Sequence, residues 1–147
     1  MLALVQRVIE ASVIVNGQTV SEIQRGMLVF LGALHEDDES VARNLAVRLS
    51  KIRIFEDENG KMNLSILDSG GQALVVSQFT LCADLSRGNR PSFGPAAEPE
   101  KAKRLYNEFC QSLSDAGVPV QTGEFGADMK VGLVNDGPVT FMVSEPR

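Results

Sequence analysis

The sequence predicts a single α/β domain over residues 1–147, built on a mixed, curled β-sheet with two main helices. Three observations support this fold class. Short apolar runs rich in β-branched residues recur between turn residues, which is typical of strands. Two other segments place apolar residues three to four positions apart, as amphipathic helices do. A chain of 147 residues, 44% of them hydrophobic, can bury a core of its own, and no domain boundary is visible.

The first strands are predicted to form a hairpin that is followed by a buried strand. Leu2 to Val15 alternates loosely and predicts a long strand, and Asn16-Gly17 is the strongest short signal for a hairpin turn. Thr19 to Ile23 then predicts the returning strand. The continuous apolar run from Met27 to Leu34 predicts a central strand that is buried on both faces.

Two helices and several shorter strands complete the prediction. The first helix follows the acidic residues 36–39, and its apolar stripe consists of Val41, Leu45, Leu49 and Ile52. The second begins near Pro99, where proline is tolerated in a first turn, and stops at Gly117. Residues 83–97, which are rich in glycine and proline, predict an ordered loop. The remaining predicted strands are Arg53–Glu56, Ala73–Leu81, Val118–Thr122, Lys130–Asn135 and Val139–Ser144.

The composition argues against several classes of catalytic site. The chain has one histidine, His35, and no G-x-S-x-G sequence, so a Ser-His-Asp triad is disfavoured. Zinc needs three or four clustered ligands, which one histidine and the isolated Cys82 and Cys110 do not offer. Phosphate-binding and dinucleotide-binding glycine motifs are missing. We therefore expect neither a metal nor a cofactor.

Charge and hydropathy bear on location and partners. The net charge of −5 argues against a broad basic surface for nucleic acid, although it leaves room for a local RNA contact. No charged leader with a cleavage site opens the sequence, and the longest apolar run is too short to span a bilayer. The expected location is the cytoplasm, with no membrane partner.

Two segments place polar residues where apolar strands end. Ser77, Gln78 and Thr80 close the run that begins at Ala73, so they either cap the following loop or face a cavity. The second segment, Asn135 to Phe141, contains Asp136-Gly137-Pro138 and matches an ordinary turn. The same Gly-Pro pair can also bring backbone carbonyls close to a ligand, because Gly137 lacks a Cβ. Residue chemistry alone leaves both alternatives open for the first segment, whereas for the second it favours the ordinary turn.

The two segments together resemble the signatures of the D-aminoacyl-tRNA deacylase family. The similar motifs are Ser77-Gln78-x-x-Leu81 and Asn135-x-Gly137-Pro138-x-Thr140. Further similar segments lie in the expected order along the chain, at residues 3–8, 11–13, 60–63, 90–93 and 127–129. The resemblance implies a barrel-like sheet and a homodimer whose active sites lie at the subunit interface. It also implies hydrolysis of the ester that joins a D-amino acid to the 3′ end of tRNA.

The same resemblance assigns roles to the residues of both motifs. It implies that the Gly137-Pro138 bond is cis, reaches into the partner's pocket and rejects L-amino acids, whereas glycyl-tRNA is a partial substrate. Gln78 and the Phe79 N–H would donate to the developing oxyanion, and Ser77 would brace the site. Asn135 and Thr140 belong to the substrate-binding motif. Arg7 matches an arginine that would hold the Gly-Pro loop through a backbone carbonyl; otherwise it is a surface residue of the first strand.

Thr80 has two possible roles. A threonine nucleophile needs an activating base, and the sequence offers no neighbouring histidine. Thr80 could instead orient groups while the 2′-hydroxyl of the RNA assists a water molecule. Two rival functions remain at this stage: a non-catalytic module that binds RNA or a protein, and an esterase that forms an acyl-enzyme on Thr80.

Overall fold

The N-terminal strand β1 (Leu2–Val15) organises the sheet because three other strands pair with it. A computed structural model describes residues 1–145. β1 continues through the turn at Asn16 and Gly17, which both have positive φ, into the antiparallel β2 (Gln18–Ile23). Its first half also pairs antiparallel with β3 (Gly26–Gly32). The predicted hairpin and the buried central strand are confirmed.

The sheet is mixed and curls into a nearly closed barrel. β3 pairs in parallel with β6 (Gln72–Ser77), and β6 pairs in parallel with β7 (Val120–Thr122). The last strand, β8 (Lys130–Ser144), runs antiparallel along the other edge of β1. Leu74 of β6 and Val13 of β1 share one buried cluster, against which Leu133 of β8 packs. This cluster fills the concave face of the sheet.

The two predicted helices pack on the opposite face. α1 (Glu39–Lys51) begins at Asp38, whose carboxylate accepts a hydrogen bond from the Val41 N–H. α3 (Pro99–Asp115) begins with the proline that the sequence suggests. Both helices bury leucine side chains, and α3 also buries Phe109, in one cluster with Met27, Val29 and Leu31 of β3. β3 is therefore apolar on both faces because it lies between the barrel interior and the helices.

Small elements between β3 and β6 complete the fold. β4 (Phe55–Glu56) and β5 (Met62–Leu64) form a separate two-stranded ribbon, so the predicted strand at residues 53–56 is only half as long as expected. The one-turn helix α2 (Ile66–Ser69), with a capping box between Ser65 and Asp68, was not predicted.

Two predicted elements are wrong. The strand expected to reach Leu81 ends at Ser77, and residues 79–82 form a 3-10 turn. The chain turns there because it crosses Gly32, where a Cβ would lie 2.9 Å from the Cys82 Sγ and 3.0 Å from the Gln78 carbonyl oxygen. The two C-terminal strands are one strand with a bulge, because Gln6 faces Thr140 while Val8 faces Asn135. Residues 136–139 thus stand opposite the single residue Arg7.

Candidate active site

A cavity of about 490 Å³ opens where β6 ends. Ser77, Gln78 and Phe79 form its polar edge. Its walls are apolar and come from distant parts of the chain, and they include Met1, Leu31, Ala102, Tyr106, Phe125 and Met129. The volume lies within the range of small-molecule sites, and a few polar groups in an apolar cavity are typical of such sites. The first predicted motif therefore borders a ligand-sized cavity.

Two hydrogen bonds of Gln78 order the polar edge of the cavity. The side-chain amide of Gln78 donates from Nε2 to the hydroxyl oxygen of Thr80. The Gln78 backbone is tied to β3, since its N–H donates to the Leu31 carbonyl at 2.8 Å. Phe79 is the first residue of the 3-10 turn, where backbone N–H groups have no partner within the turn. Such a group can donate to a substrate oxygen.

The cavity wall contains an aromatic hydroxyl that is already paired. The Tyr106 hydroxyl donates to the Val75 carbonyl oxygen at 2.6 Å. Burial is the largest cause that raises the pKa of Tyr106 above its ordinary value. Burial likewise raises the pKa of Cys110 on the same helix to about 12. Both groups are therefore neutral at physiological pH and are poor candidates for general bases.

The second predicted motif is a braced bulge in β8. The Asn135 side-chain amide donates to the Arg7 carbonyl oxygen at 2.9 Å and to the Val139 carbonyl oxygen at 3.0 Å. Its own oxygen accepts from the Thr140 hydroxyl at 3.4 Å, and Gln6 donates to that hydroxyl. Both ends of the bulge are thus held by one side chain.

Arg7 lies beneath the bulge and is buried, with 5% of its surface exposed. Its Nε donates to the Asp136 carbonyl oxygen at 3.2 Å and lies 3.3 Å from the Asp136 carboxylate. Another guanidinium nitrogen donates to the Ile54 carbonyl oxygen at 2.8 Å. Arg7 is therefore not an exposed residue of the first strand, and it contacts the backbone of the bulge; its role at the site stays a prediction.

Gly137 and Pro138 stand exposed at the tip of the bulge and are joined by a cis peptide bond, as expected. Gly137 has a φ of 131°, and a Cβ there would lie 2.6 Å from the Val139 Cγ2. This position therefore requires glycine on backbone grounds alone.

The two motifs do not meet within one chain. Residues 135–138 do not line the cavity at Gln78, whereas Arg7 and Asp136 line a smaller cavity of about 240 Å³. β8 and β6 are separated by β1 and β3, which places them about 14 Å apart across the sheet. Ser77 is level with Ala3, four residues from Arg7, which adds roughly 13 Å along the strands. Within one chain, the two motifs therefore lie at separate places on the sheet.

One feature of the cavity escaped sequence analysis. The Met1 ammonium lies 2.7 Å from the Asp37 carboxylate, and both side chains are fully buried. Asp37 also accepts a hydrogen bond from the Leu34 N–H at 2.7 Å. In the sequence, Asp37 looks like any other member of the acidic patch at residues 36–39, so no local signal sets it apart.

The other candidate groups lie outside both motifs. The His35 N–H donates to the Pro95 carbonyl oxygen and the His35 carbonyl oxygen accepts from Lys101, and within residues 1–145 no hydrogen bond joins His35 to Thr80. Among residues 1–145, no three His, Cys, Asp or Glu side chains are grouped closely enough to hold a metal ion. In the same part of the chain, no helix is long and apolar enough to cross a membrane.

Comparisons with known proteins agree on one family. The family model for D-Tyr-tRNA(Tyr) deacylase matches residues 4–144. A curated relative named D-aminoacyl-tRNA deacylase, from Shewanella loihica, is 57% identical over 141 residues, covering 96% of this chain and 97% of that protein. A relative of the same name from Cereibacter sphaeroides has the same identity and coverage.

Solved structures share the fold over the whole chain. A structure described as c-Myc DNA Unwinding Element Binding Protein has a TM-score of 0.95 and 41% identity, covering all of both chains. A structure described as a probable eukaryotic D-amino acid tRNA deacylase has a TM-score of 0.84 and covers 98% of both chains; at 18% identity it supports the fold alone. The chain therefore belongs to the D-Tyr-tRNA(Tyr) deacylase family, and the prediction of a D-aminoacyl-tRNA deacylase, a hydrolase, is confirmed.

Proposed function

We propose that the protein acts as a homodimer in which each active site combines the cavity of one copy with the Gly137-Pro138 bulge of the other. Its substrate is D-aminoacyl-tRNA bound by the 3′ end. The observation that carries this proposal is the separation of the two motifs within one chain. Each half has the character of a site, yet neither half contains all of the residues that the family resemblance assigns to it. A second copy supplies the missing half.

The bulge is suited to insertion into a partner. Its tip is exposed, while Arg7 and Asn135 hold its base. Phe141 and Met142, which follow Thr140, are large apolar side chains exposed on the same strand, and Val134 is exposed on the other side of the bulge. Exposed apolar patches with polar rims mark protein interfaces. A two-fold dimer uses the same patch twice, so both cavities are completed together.

The reaction is hydrolysis of the ester between the amino acid and the terminal ribose. A water oxygen attacks the carbonyl carbon, the tetrahedral intermediate carries the negative charge, and the ribose oxygen leaves with a proton. Gln78 and the Phe79 N–H border the cavity and can donate to the oxyanion. Ser77, at the end of β6, braces this edge. The protein thus supplies position and electrostatic stabilisation to the reaction.

Thr80 acts as a positioning residue. Its hydroxyl oxygen accepts the hydrogen bond from Gln78, so it fixes the direction of the amide that faces the carbonyl. The 2′-hydroxyl next to the ester is then the group that assists the attacking water. Thr80→Ala should leave much of the activity under this mechanism, whereas an acyl-enzyme mechanism would lose it. A covalent acyl adduct on Thr80, detected by mass spectrometry, would refute the positioning role.

The active site selects D-amino acids by sterically excluding L-amino acids. The carbonyls of Gly137 and Pro138 would face the α-carbon of the substrate, so an L side chain collides with them while a D side chain points away. Because glycine has no side chain to reject, glycyl-tRNA is hydrolysed in part. Asn135 and Thr140 contribute by keeping the bulge in place. The enzyme needs no cofactor and works in the cytoplasm, as one domain over residues 1–147.

The direct test is an ester-hydrolysis assay with D-tyrosyl-, L-tyrosyl- and glycyl-tRNA, without added metal and with EDTA. Rapid loss of the D ester, slower loss of the glycyl ester and an intact L ester are expected. Equal loss of all three would indicate a general esterase and contradict the exclusion argument. No loss from folded protein would favour the non-catalytic binding module.

Subunit complementation tests the shared site. Gln78→Ala damages the cavity half and Gly137→Val damages the bulge half, so each homodimer should be inactive. In a mixed dimer one site carries both changes and the other carries neither. Random mixing should therefore restore about a quarter of the wild-type activity. If both halves came from the same chain, every mixed site would carry one change and no activity would return.

A further inference from the structure

We propose that the loop at residues 84–93 binds phosphates of the single-stranded 3′ end of tRNA through Arg87 and Arg90; this inference rests on the proposed function. The loop is a small hairpin closed by an antiparallel bridge between Asp84 and Ser92, with N···O distances of 2.7 and 3.0 Å. The two arginines lie at its exposed tip, with Gly88 and Asn89 between them.

The loop is fixed to the mouth of the cavity. The ring of Phe93 packs against the ring of Phe79, with centroids 5.0 Å apart, and Phe79 borders the cavity. The segment that follows the loop is tied to the residues after β3, because the His35 N–H donates to the Pro95 carbonyl oxygen and the Ala97 N–H donates to the Ala33 carbonyl oxygen. Three residues span at most about 10 Å, so Arg90 lies close to the place where the RNA must enter.

The charges of the loop are not neutralised by the protein. The only acidic residue of the loop is Asp84 at its base, and residues 85–97 contain no Asp or Glu. Within residues 1–145, neither Arg87 nor Arg90 forms an ion pair with an acidic side chain. Two arginines of the helices differ, because Arg104 is paired with Glu39 and Arg43 with Glu108. In a chain of net charge −5, this loop is a positive site of limited extent.

Phosphate is the ligand chemistry that suits this loop. Guanidinium groups match phosphate oxygens in a planar, two-point geometry. The terminal adenosine enters the cavity when the ester carbonyl reaches Gln78, so the nucleotides before it pass the rim of the cavity. Contacts to their phosphates carry no base sequence information. The loop therefore contributes to the affinity for any tRNA and leaves chiral selection to the bulge.

Two substrates separate this role from catalysis. D-tyrosyl-tRNA carries the phosphates, whereas 3′-O-D-tyrosyl-adenosine has the same ester and no phosphate. Arg87→Gln/Arg90→Gln should raise KM for the tRNA substrate roughly tenfold at low salt while kcat stays similar. Kinetics with the tyrosyl-adenosine should not change. The slope of log Kd against log salt for uncharged tRNA should become shallower by about 1.4, since each lost contact removes about 0.7.

Matched variants complete the test. Arg87→Lys/Arg90→Lys keeps both charges and should retain most of the affinity. Lys51→Gln removes an exposed charge at the opposite end of α1 from Glu39, about 18 Å away along the helix axis, and should change nothing. Unchanged tRNA binding in the double Gln variant would overturn the inference, as would equal losses with both substrates. If the wild-type protein bound tRNA through the loop but did not hydrolyse the ester, the proposed function alone would be refuted.

Discussion

Asn135→Asp tests whether one side chain holds the bulge in place. The substitution keeps the shape but replaces the amide that donates to the Arg7 and Val139 carbonyl oxygens, at 2.9 and 3.0 Å. Two hydrogen bonds are lost, each contributing about 0.5–1.5 kcal/mol, and a carboxylate then faces two carbonyl oxygens. We expect the free energy of unfolding to fall by about 2–3 kcal/mol. For a domain of this size that lowers Tm by roughly 6–12 °C.

The activity should fall further than the stability suggests. Under the proposed shared site, a displaced bulge would no longer fit the partner's cavity, so we expect kcat/KM for D-tyrosyl-tRNA to fall at least tenfold at temperatures where the variant is folded. Thermal unfolding followed by circular dichroism and ester hydrolysis at 25 °C measure the two effects. Asn135→Ala removes the hydrogen bonds without adding charge and should lie in between. Asn107→Asp, on the exposed face of α3, is the charge control. Wild-type Tm and activity in Asn135→Asp would refute the bracing role.

Three further predictions test other parts of the structure. Gly137→Ala places a Cβ 2.6 Å from the Val139 Cγ2 at a φ of 131°, so it should cost about 1–3 kcal/mol and lower deacylation; wild-type rates would contradict this. Asp37→Asn leaves the buried Met1 ammonium without its carboxylate, and urea unfolding should show a loss of about 3–5 kcal/mol; a loss below about 1 kcal/mol would show that the pair is not stabilising. Cys110, with its pKa raised to about 12 by burial, should react slowly with iodoacetamide at pH 8, whereas rapid labelling of native protein would refute its burial. The same shift makes the unfolded thiol, with a pKa of 9.0, ionise first, so this contribution to stability should be lost between pH 9 and about 12.

Local patterns determined most of the secondary structure. The hairpin at Asn16-Gly17 follows from residues that adopt positive φ, and the helix stripes follow from a spacing of three to four. Both signals lie within a few consecutive residues, so they can be identified without knowing which distant residues pack against them. The two polar motifs could also be recognised in the sequence, because polar residues that interrupt apolar strands must find hydrogen-bond partners or face a cavity. Their resemblance to known signatures led to the correct family.

The tertiary structure decided where the polar motifs lie and what surrounds them. The end of β6 at Ser77 depends on Gly32, a residue of another strand, which lets the chain cross. The bulge at residues 136–139 exists because β8 is paired with β1 on both sides of Arg7, a register that no local pattern specifies. Sequence analysis therefore predicted a turn between two strands where the protein has one strand.

The sequence by itself determined the family, the main elements and the two motifs. Only the tertiary structure showed that the cavity wall is assembled from residues that include Met1, Tyr106 and Met129, and that two strands separate the motifs. The physical reason is the range of the interactions. Helix and turn preferences act over a few residues, whereas a cavity is formed by apolar side chains brought together from the whole chain. Which strand lies beside which is settled by that packing.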